Sequence, residues 1–149
     1  MSAGRFALDT SCMVALVCTW HERHGDAVAA VESRLDRGAT VAVAAHALVE
    51  TYAVLTRLPP PHRLAPADAW AVVQGNFVES AMVVTLSGRD HVALLGRLAD
   101  SGIGGGRSYD AIIAACAVKA NAVELLTFNP RHLLRPPEGV AIVEPSNGA

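Results

Sequence analysis

Charged residues, lysine and long apolar runs are all scarce in this chain. Charged residues make up 17% of the sequence and hydrophobic residues 52%, which excludes an intrinsically disordered protein. The longest mostly apolar stretch, residues 13–20, is too short to cross a bilayer as a helix. The three cysteines lack the spacing of a zinc site, so we expect buried free thiols and a cytoplasmic protein.

The length and the charge of the chain indicate the number of domains and the kind of partner to expect. The chain has 149 residues, and we expect one domain over 1–149, with a core at about 5–143 and a loose tail at 145–149. It carries 12 basic residues, all arginine except Lys119, against 14 acidic ones, for a net charge of −2. Nucleic-acid-binding proteins are more often basic, so net charge alone favours another kind of partner.

Short apolar segments alternate with longer segments of helical periodicity along the chain. This alternation predicts βαβ units and an α/β fold, in which helices cover both faces of a mostly parallel sheet of four to five strands. The predicted strands are 6–8, 40–43, 82–85 and 123–127, with 140–143 as a candidate fifth. The predicted helices are 13–20, 26–37, 45–58, 66–80, 90–100 and 108–121.

Four oxygen-bearing side chains fall where a parallel sheet places its binding edge. Asp9 ends the first strand, Glu50 lies one turn into the helix after the second, Asp110 is in the first turn of its helix, and Asn129 follows the fourth strand. Three of them have ordinary structural explanations: Asp9 as a helix cap, Asp110 as a charge at a helix N-terminus, Asn129 as a turn residue. Glu50 lies beside an apolar face, where a carboxylate needs a partner.

Carboxylates that converge without basic partners repel one another unless a cation joins them. Oxygen ligands without histidine or thiolate suit Mg²⁺ or Mn²⁺. An ion of this kind can activate water and stabilise charge on a phosphodiester. Assigning Asp9, Glu50 and Asp110 to a cation leaves 12 basic and 11 acidic side chains, so the net charge of the chain does not describe the charge of this edge.

Four segments together resemble the PIN domain, and within that family the VapC-type toxins of bacterial toxin–antitoxin pairs. They are residues 7–11 (ALDTS), the helix around Glu50, residues 106–115 (GRSYDAIIAA) and residues 125–132 (LLTFNPRH). The resemblance runs from Phe6 to about Val143 and implies a three-layer α/β/α fold. It also implies a Mg²⁺- or Mn²⁺-dependent endoribonuclease that leaves 5′-phosphate and 3′-hydroxyl ends.

The resemblance assigns roles residue by residue. Asp9 and Asp110 match direct metal ligands, and Glu50 matches a residue that binds through water or helps to deprotonate the attacking water. Asn129 stands where many members carry aspartate, so it is the weaker ligand. Thr10 and Thr127 match polar positions that orient ligands or water. A cognate VapB-like antitoxin, an RNA substrate and a homodimer are also implied, with no membrane association.

Other residues near the predicted edge have less specific patterns. Arg107, after the glycine-rich segment 102–106, and Arg131 could contact phosphate, or could belong to a connector and a solvated turn. His21 and His24 are one residue too close for the zinc-protease motif and are better explained as an exposed helix start. Trp20 and Trp70 are more typical of a core or an interface than of base stacking.

Two alternatives do not involve RNA cleavage. A response-regulator receiver also has an acidic magnesium site, but it needs a lysine after a late strand, and Lys119 falls within a predicted helix. A catalytically weak PIN scaffold that binds RNA or a protein without cutting stays open, because Asn129 brings no charge to the site.

Overall fold

The sheet of this protein is parallel throughout, with the first strand of the chain at its centre. In the computed structural model, which describes residues 4–133 and 136–146, the strands are β1 (Arg5–Leu8), β2 (Thr40–Ala44), β3 (Met82–Val84), β4 (Glu124–Leu126) and β5 (Ala141–Val143). Their order across the sheet is β3-β2-β1-β4-β5, and each neighbouring pair is parallel. The predicted α/β fold with a parallel sheet is confirmed, and it has five strands.

Six α-helices connect and cover these strands. They are α1 (Thr10–Val17), α2 (His24–Asp36), α3 (Ala45–Arg57), α4 (Pro66–Val73), α5 (Gly88–Asp100) and α6 (Arg107–Lys119). Phe6, Ala7 and Leu8 point alternately to opposite faces of the sheet, yet all three are buried. Helices therefore cover both faces of β1, as the three-layer prediction requires. None of the helices in the described ranges is long and apolar enough to span a membrane.

Several helix boundaries differ from the prediction, and two of these differences have an identifiable local reason. Helix α1 begins at Thr10, not at residue 13, because the Asp9 side chain accepts from the Cys12 backbone N–H and caps the helix. Helix α4 ends at Val73 and continues as a π-helical turn, Gln74–Val78, where one helix over 66–80 was predicted. Lys119 is the last residue of α6, and its Nζ donates to the Thr85 carbonyl 2.7 Å away.

Part of the predicted loose tail at 145–149 makes contacts with the rest of the chain. The Arg23 guanidinium donates to the Pro145 carbonyl at 2.7 Å and lies 3.7 Å from the Glu144 carboxylate. Residues 147–149 lie outside the described residues. The segment just after β5 is therefore fastened to the loop that precedes α2.

The core divides into a large cluster around the sheet and a small one beneath α4. The large cluster includes β1, β2 and the inner face of α6, where Ile113, Cys116 and Ala117 are buried. The small cluster joins Cys18, Leu55, Ala69 and Val73. The three cysteines are buried free thiols, as predicted. Because all strands run the same way, their C-terminal ends lie along one edge, and the candidate site is there.

Candidate metal centre at the C-terminal edge of the sheet

Asp9 is the most buried carboxylate of the site. It follows β1 directly, its backbone N–H bonds to the Leu126 carbonyl of β4, and the residue is 6% exposed. Its Oδ1 accepts from the Ser11 hydroxyl at 2.6 Å and from the Cys12 N–H at 3.0 Å. Burial raises the pKa of Asp9 against these hydrogen bonds, and the nearby Asp110 charge raises it further. A cation bound at this carboxylate would offset both effects.

Two hydroxyl groups join the ends of β1 and β4 behind the site. Ser11 Oγ donates to Asp9 and accepts from the Phe128 N–H at 3.0 Å. The buried Thr127 hydroxyl accepts from the Asn129 N–H at 2.9 Å, and it also lowers the pKa of Asp9. The loop that carries Asn129 is therefore held in register with Asp9. The sequence pattern does not predict this role of Ser11.

Glu50 lies on α3, one turn and a half from the helix start. The Thr10 hydroxyl donates to Glu50 Oε1 at 3.1 Å, which links α1 to α3. His46 Nε2 lies 3.2 Å from the same oxygen, but this buried nitrogen makes no hydrogen bond within the described chain. The imidazole of His46 also stacks on the Tyr109 ring, with centroids 5.0 Å apart. Thr10 therefore holds Glu50 through a hydrogen bond, and His46 lies beside it. Of these two neighbours, only Thr10 was a predicted site residue.

Asp110 lies in the first turn of α6, where the helix N-terminus favours a negative charge. Its Oδ2 is 3.3 Å from Nδ1 of His132, which belongs to a 3₁₀ turn (Pro130–His132) after Asn129. The Asp110 side chain is about a quarter exposed, far more than Asp9. His132 was missed in the sequence because nothing in the pattern places it beside Asp110.

The four predicted residues meet on one cavity of about 1060 Å³. Asp9, Glu50, Asp110 and Asn129 all line it. Of the predicted supporting residues, Thr10 and Arg107 line it as well, whereas Thr127 lies buried behind it and Arg131 is exposed outside it. Several wall residues were not predicted as site residues: Ser11, Arg23, Tyr109 and His132.

The remaining sequence candidates have structural roles. His21 Nδ1 accepts from the Arg23 N–H at 3.0 Å, and His24 Nδ1 is 2.8 Å from the Ala15 carbonyl, so neither ring nitrogen is arranged for zinc. Trp20 and Trp70 are about half exposed, so neither occupies the core, and the interface position that was the other expectation stays a prediction. Trp20 stacks on His62 with centroids 4.1 Å apart.

The donor set suits a hydrated hard cation. Within residues 4–133 and 136–146, no three His, Cys, Asp or Glu side chains converge closely enough to hold one ion together. Asp9 and Asp110 nevertheless share a cavity and a repulsive interaction, and Asn129 adds an amide oxygen. Mg²⁺ commonly binds proteins through one or two carboxylates and keeps several waters. Asp9, Asp110 and Asn129 fit that arrangement.

Comparisons with known proteins agree with this geometry. The PIN domain family model matches residues 6–137. The chain is 45% identical over 125 residues to the Mycobacterium tuberculosis protein named Ribonuclease VapC40, covering 84% of this chain and 87% of that protein. It is 40% identical over 125 residues to Ribonuclease VapC27 of the same organism, covering 84% and 85%.

Solved structures match over similar lengths. The structure of VapBC2 from Rickettsia felis, bound to a DNA fragment from its promoter, aligns with a TM-score of 0.68 at 18% identity over 95% of this chain and 99% of that chain. VapC20 from Mycobacterium tuberculosis, described as a sarcin-ricin loop cleaving toxin, aligns with a TM-score of 0.64 at 21% identity over 80% and 86%. These structural matches establish the fold. With the family model and the two relatives, they show that the chain belongs to the PIN domain family.

Proposed function

We propose that this chain is the ribonuclease toxin of a toxin–antitoxin pair, and that it hydrolyses RNA with water activated by Mg²⁺ or Mn²⁺. The observation that carries the proposal is the meeting of Asp9, Glu50, Asp110 and Asn129 on one cavity at the C-terminal edge of the sheet. The 45% identity to a relative named a ribonuclease supports it.

Asp9 and Asp110 would hold the cation, and the Asn129 amide would add a neutral oxygen. When bound, the cation lowers the pKa of a coordinated water and offsets negative charge on the phosphodiester. Ser11 and Thr127 keep the Asp9 carboxylate in one orientation through their hydroxyls. Because Asn129 is uncharged, the set suits one well-held ion better than two.

In the proposed reaction, Glu50 accepts a proton from the attacking water. The Thr10 hydroxyl and His46 Nε2 both approach Oε1 of Glu50. Its other oxygen, Oε2, has no protein donor among the described residues. The side chain is about a third exposed and faces the cavity. We assign proton transfer from water to Oε2 of Glu50, with Thr10 as its positioning residue.

Arg107 is the cationic side chain best placed for the RNA backbone. Two arginines line the cavity, but the Arg23 guanidinium already contacts Asp26 at 2.8 Å and the Pro145 carbonyl. Arg107 is exposed at the start of α6 and has no acidic partner within the described residues. We assign a phosphate contact to Arg107, with Arg131 as a second contact outside the cavity.

The proposed protein partners are an antitoxin, which would bind at this edge of the sheet, and a second copy of the chain. A VapB-like antitoxin would lay a segment across the carboxylates and offer them an arginine, a charge-assisted pairing. We also propose a cytoplasmic homodimer. Co-purification with the product of a neighbouring reading frame, followed by sizing of the complex and of the toxin alone, tests both partners.

The activity is tested with purified protein, a structured RNA and either metal, against the same mixture in EDTA. Cleavage should require Mg²⁺ or Mn²⁺ and should fall on the order of 100-fold or more in Asp9→Ala and in Asp110→Asn. Asp68→Asn is the matched control, because it removes an exposed carboxylate from the first turn of α4, away from the cavity. Equal cleavage by wild type and Asp110→Asn would reject the assignment.

A non-cleaving scaffold is the second candidate, and the neutral Asn129 is the observation that favours it. The same experiment separates the two when RNA binding is measured beside cleavage. Binding without cleavage in both metals would favour the scaffold. Metal-dependent cleavage that is lost in the Asp9 and Asp110 variants would reject it.

A further inference from the structure

Tyr109 places an open aromatic ring on the wall of the acidic cavity. It is 51% exposed and lines the cavity next to Asp110 in the first turn of α6. The His46 imidazole packs on the ring at a centroid distance of 5.0 Å and an interplanar angle of 18°. Within the described ranges no second ring stacks on Tyr109, and its hydroxyl makes no hydrogen bond. About half of this side chain is therefore available to a ligand.

The ring contributes little to the fold where it is. Large apolar side chains of α6 that do serve the core, such as Ile113, are buried one turn further along. Tyr109 instead stacks on His46 of α3, whose Nε2 lies 3.2 Å from Glu50 Oε1, so the two helices present a small aromatic platform beside that carboxylate. An exposed, preformed ring pair beside carboxylates is suited to a planar ligand more than to core packing.

The surroundings are open enough for a nucleotide. The segment before α6 contains Gly102, Gly104, Gly105 and Gly106, and a Cβ at any of these would meet nothing within 4 Å. Arg107 lies two residues before Tyr109 and also faces the cavity. One turn of α6 thus offers a cation, a ring and a carboxylate in succession: Arg107, Tyr109 and Asp110.

We infer that Tyr109, backed by His46, is a binding site for an unpaired nucleobase next to the scissile phosphate. The inference rests on the proposed ribonuclease function and names the form of RNA that the site takes, a single strand or loop with splayed bases. Each base offers a π-face, so stacking tolerates sequence while requiring that the base be unpaired. Arg107 and Asp110 then face the phosphate side of the same nucleotide.

The test measures stacking directly, in EDTA so that the RNA stays intact. Single-stranded oligonucleotides carry 2-aminopurine, a fluorescent base quenched by stacking, at one position at a time. Wild type and Tyr109→Phe should quench at the same position, and Tyr109→Ala should not. An abasic nucleotide at that position should weaken binding about tenfold in wild type and leave Tyr109→Ala unchanged. Trp20→Leu, which removes an equally exposed ring stacked on His62 outside the cavity wall, should behave as wild type.

Three results would overturn the inference: undiminished quenching in Tyr109→Ala, an abasic penalty equal in wild type and Tyr109→Ala, or equal losses in Trp20→Leu and Tyr109→Ala. If any of these occurs while wild type still cleaves RNA with metal, the proposed ribonuclease function survives without this base site. If wild type neither binds nor cleaves any RNA, the proposed function fails together with the inference.

Discussion

Asp9 caps a helix and is also the proposed metal ligand, and the energetic demands of these two roles oppose each other. As a helix cap it satisfies the Cys12 N–H of α1, which stabilises the fold. As a carboxylate that is 6% exposed, it keeps a charge out of water, and burial raises its pKa. The cap needs only an oxygen acceptor, whereas metal binding needs the negative charge. Stability and function therefore favour different side chains at this position.

Asp9→Asn should stabilise the protein at neutral pH when divalent ions are absent. Asparagine keeps the capping oxygen and removes the buried charge, and a gain of about 1 kcal/mol would raise the Tm by roughly 2–4 °C. Adding Mg²⁺ should raise the Tm of wild type and leave the variant unchanged. Thermal unfolding with and without Mg²⁺, with Glu32→Gln at an exposed position in the middle of α2 as the control, measures this. A lower Tm for Asp9→Asn in EDTA would show that the charge stabilises the fold.

In the proposed metal site, the uncharged Asn129 limits how strongly a cation would be held. Its backbone N–H is fastened to Thr127, so the side chain is presented at the cavity, but it brings no charge. Asn129→Asp should tighten Mn²⁺ binding by about tenfold, since it adds one negative charge at the same place. Calorimetric titration with Mn²⁺ measures the change, with the exposed Asn76→Asp as control. Unchanged affinity would place Asn129 outside the metal's reach.

At the scale of elements, the position of α6 depends on the glycine-rich segment before it. Gly102 and Gly105 have φ values of +70° and +63°, the left-handed region that side chains disfavour, whereas Gly104 does not. Helix α6 then delivers Arg107, Tyr109 and Asp110 to the cavity. These glycines are thus required by the backbone path that brings the helix start to the sheet edge.

Gly105→Ala should lower the free energy of unfolding by about 1 kcal/mol, because alanine is strained at positive φ. Gly104→Ala is the matched control, since both positions have open space for a Cβ and differ in φ. Urea unfolding of the two variants measures the difference. Equal stabilities would mean that the segment relaxes to another backbone path.

Helix α2 is tied to the sheet by one bidentate ion pair. Arg34 Nε donates to Glu124 Oε1 at 2.8 Å and Nη2 to Oε2 at 2.9 Å, linking α2 to β4. The hydrogen bonds from Arg34 lower the pKa of Glu124 more than its partial burial raises it. Glu124 is the first residue of β4, and this strand leads into Thr127 and Asn129. The ion pair therefore helps to fix the strand that positions these two residues.

Glu124→Gln should cost about 1–2 kcal/mol at pH 7, since hydrogen bonds to charged groups are among the stronger ones. Because the folded pKa is depressed, this stability is fully present above the ordinary glutamate value of 4.5 and is lost as pH falls through the lower folded value. Unfolding measured from pH 3 to pH 8 should therefore show the two proteins converging in acid. Glu32→Gln, an exposed change on α2, should match wild type throughout; a difference independent of pH would contradict the ion pair.

At the scale of the whole molecule, the question is whether the large and the small apolar cluster unfold together. A single domain requires that they do. The small cluster beneath α4 reaches Val17 and Leu48, which also pack against the large cluster. The clusters are thus continuous through α1 and α3. We therefore predict one cooperative transition for the 149-residue chain.

The two tryptophans report on different parts of this structure. Trp20 lies between α1 and α2, and Trp70 lies on α4. In single-tryptophan variants made with Trp→Phe, fluorescence and far-UV circular dichroism should give coincident urea transitions. An earlier transition reported by Trp70 would show that α4 and its cluster unfold separately.

Much of the fold could be predicted because its signals are local. The central strand is apolar on both faces, which is typical of a parallel strand covered by helices. Asp9 follows this strand and caps the next helix, so it marks the C-terminal edge of the sheet, where ligands bind. The cap at Asp9 had this local signal, although the predicted helix began only at residue 13. The end of α4 at Val73 could not be predicted, since the π-helical turn that follows it depends on packing. The placement of Asp9, Glu50, Asp110 and Asn129 on one edge followed from strand direction alone.

The sequence by itself determined the α/β class, the edge at which polar residues collect and the oxygen-rich character of the site, because periodicity and residue type are properties of neighbours along the chain. Only the tertiary structure decided that His46 packs on Tyr109 and that His132 meets Asp110. It also decided that Arg23 pairs with Asp26, whereas Arg107 has no acidic partner in the part of the chain that the structure describes. The physical reason is that these contacts join helices and loops far apart in sequence, and their distances are set by how the helices pack on the sheet.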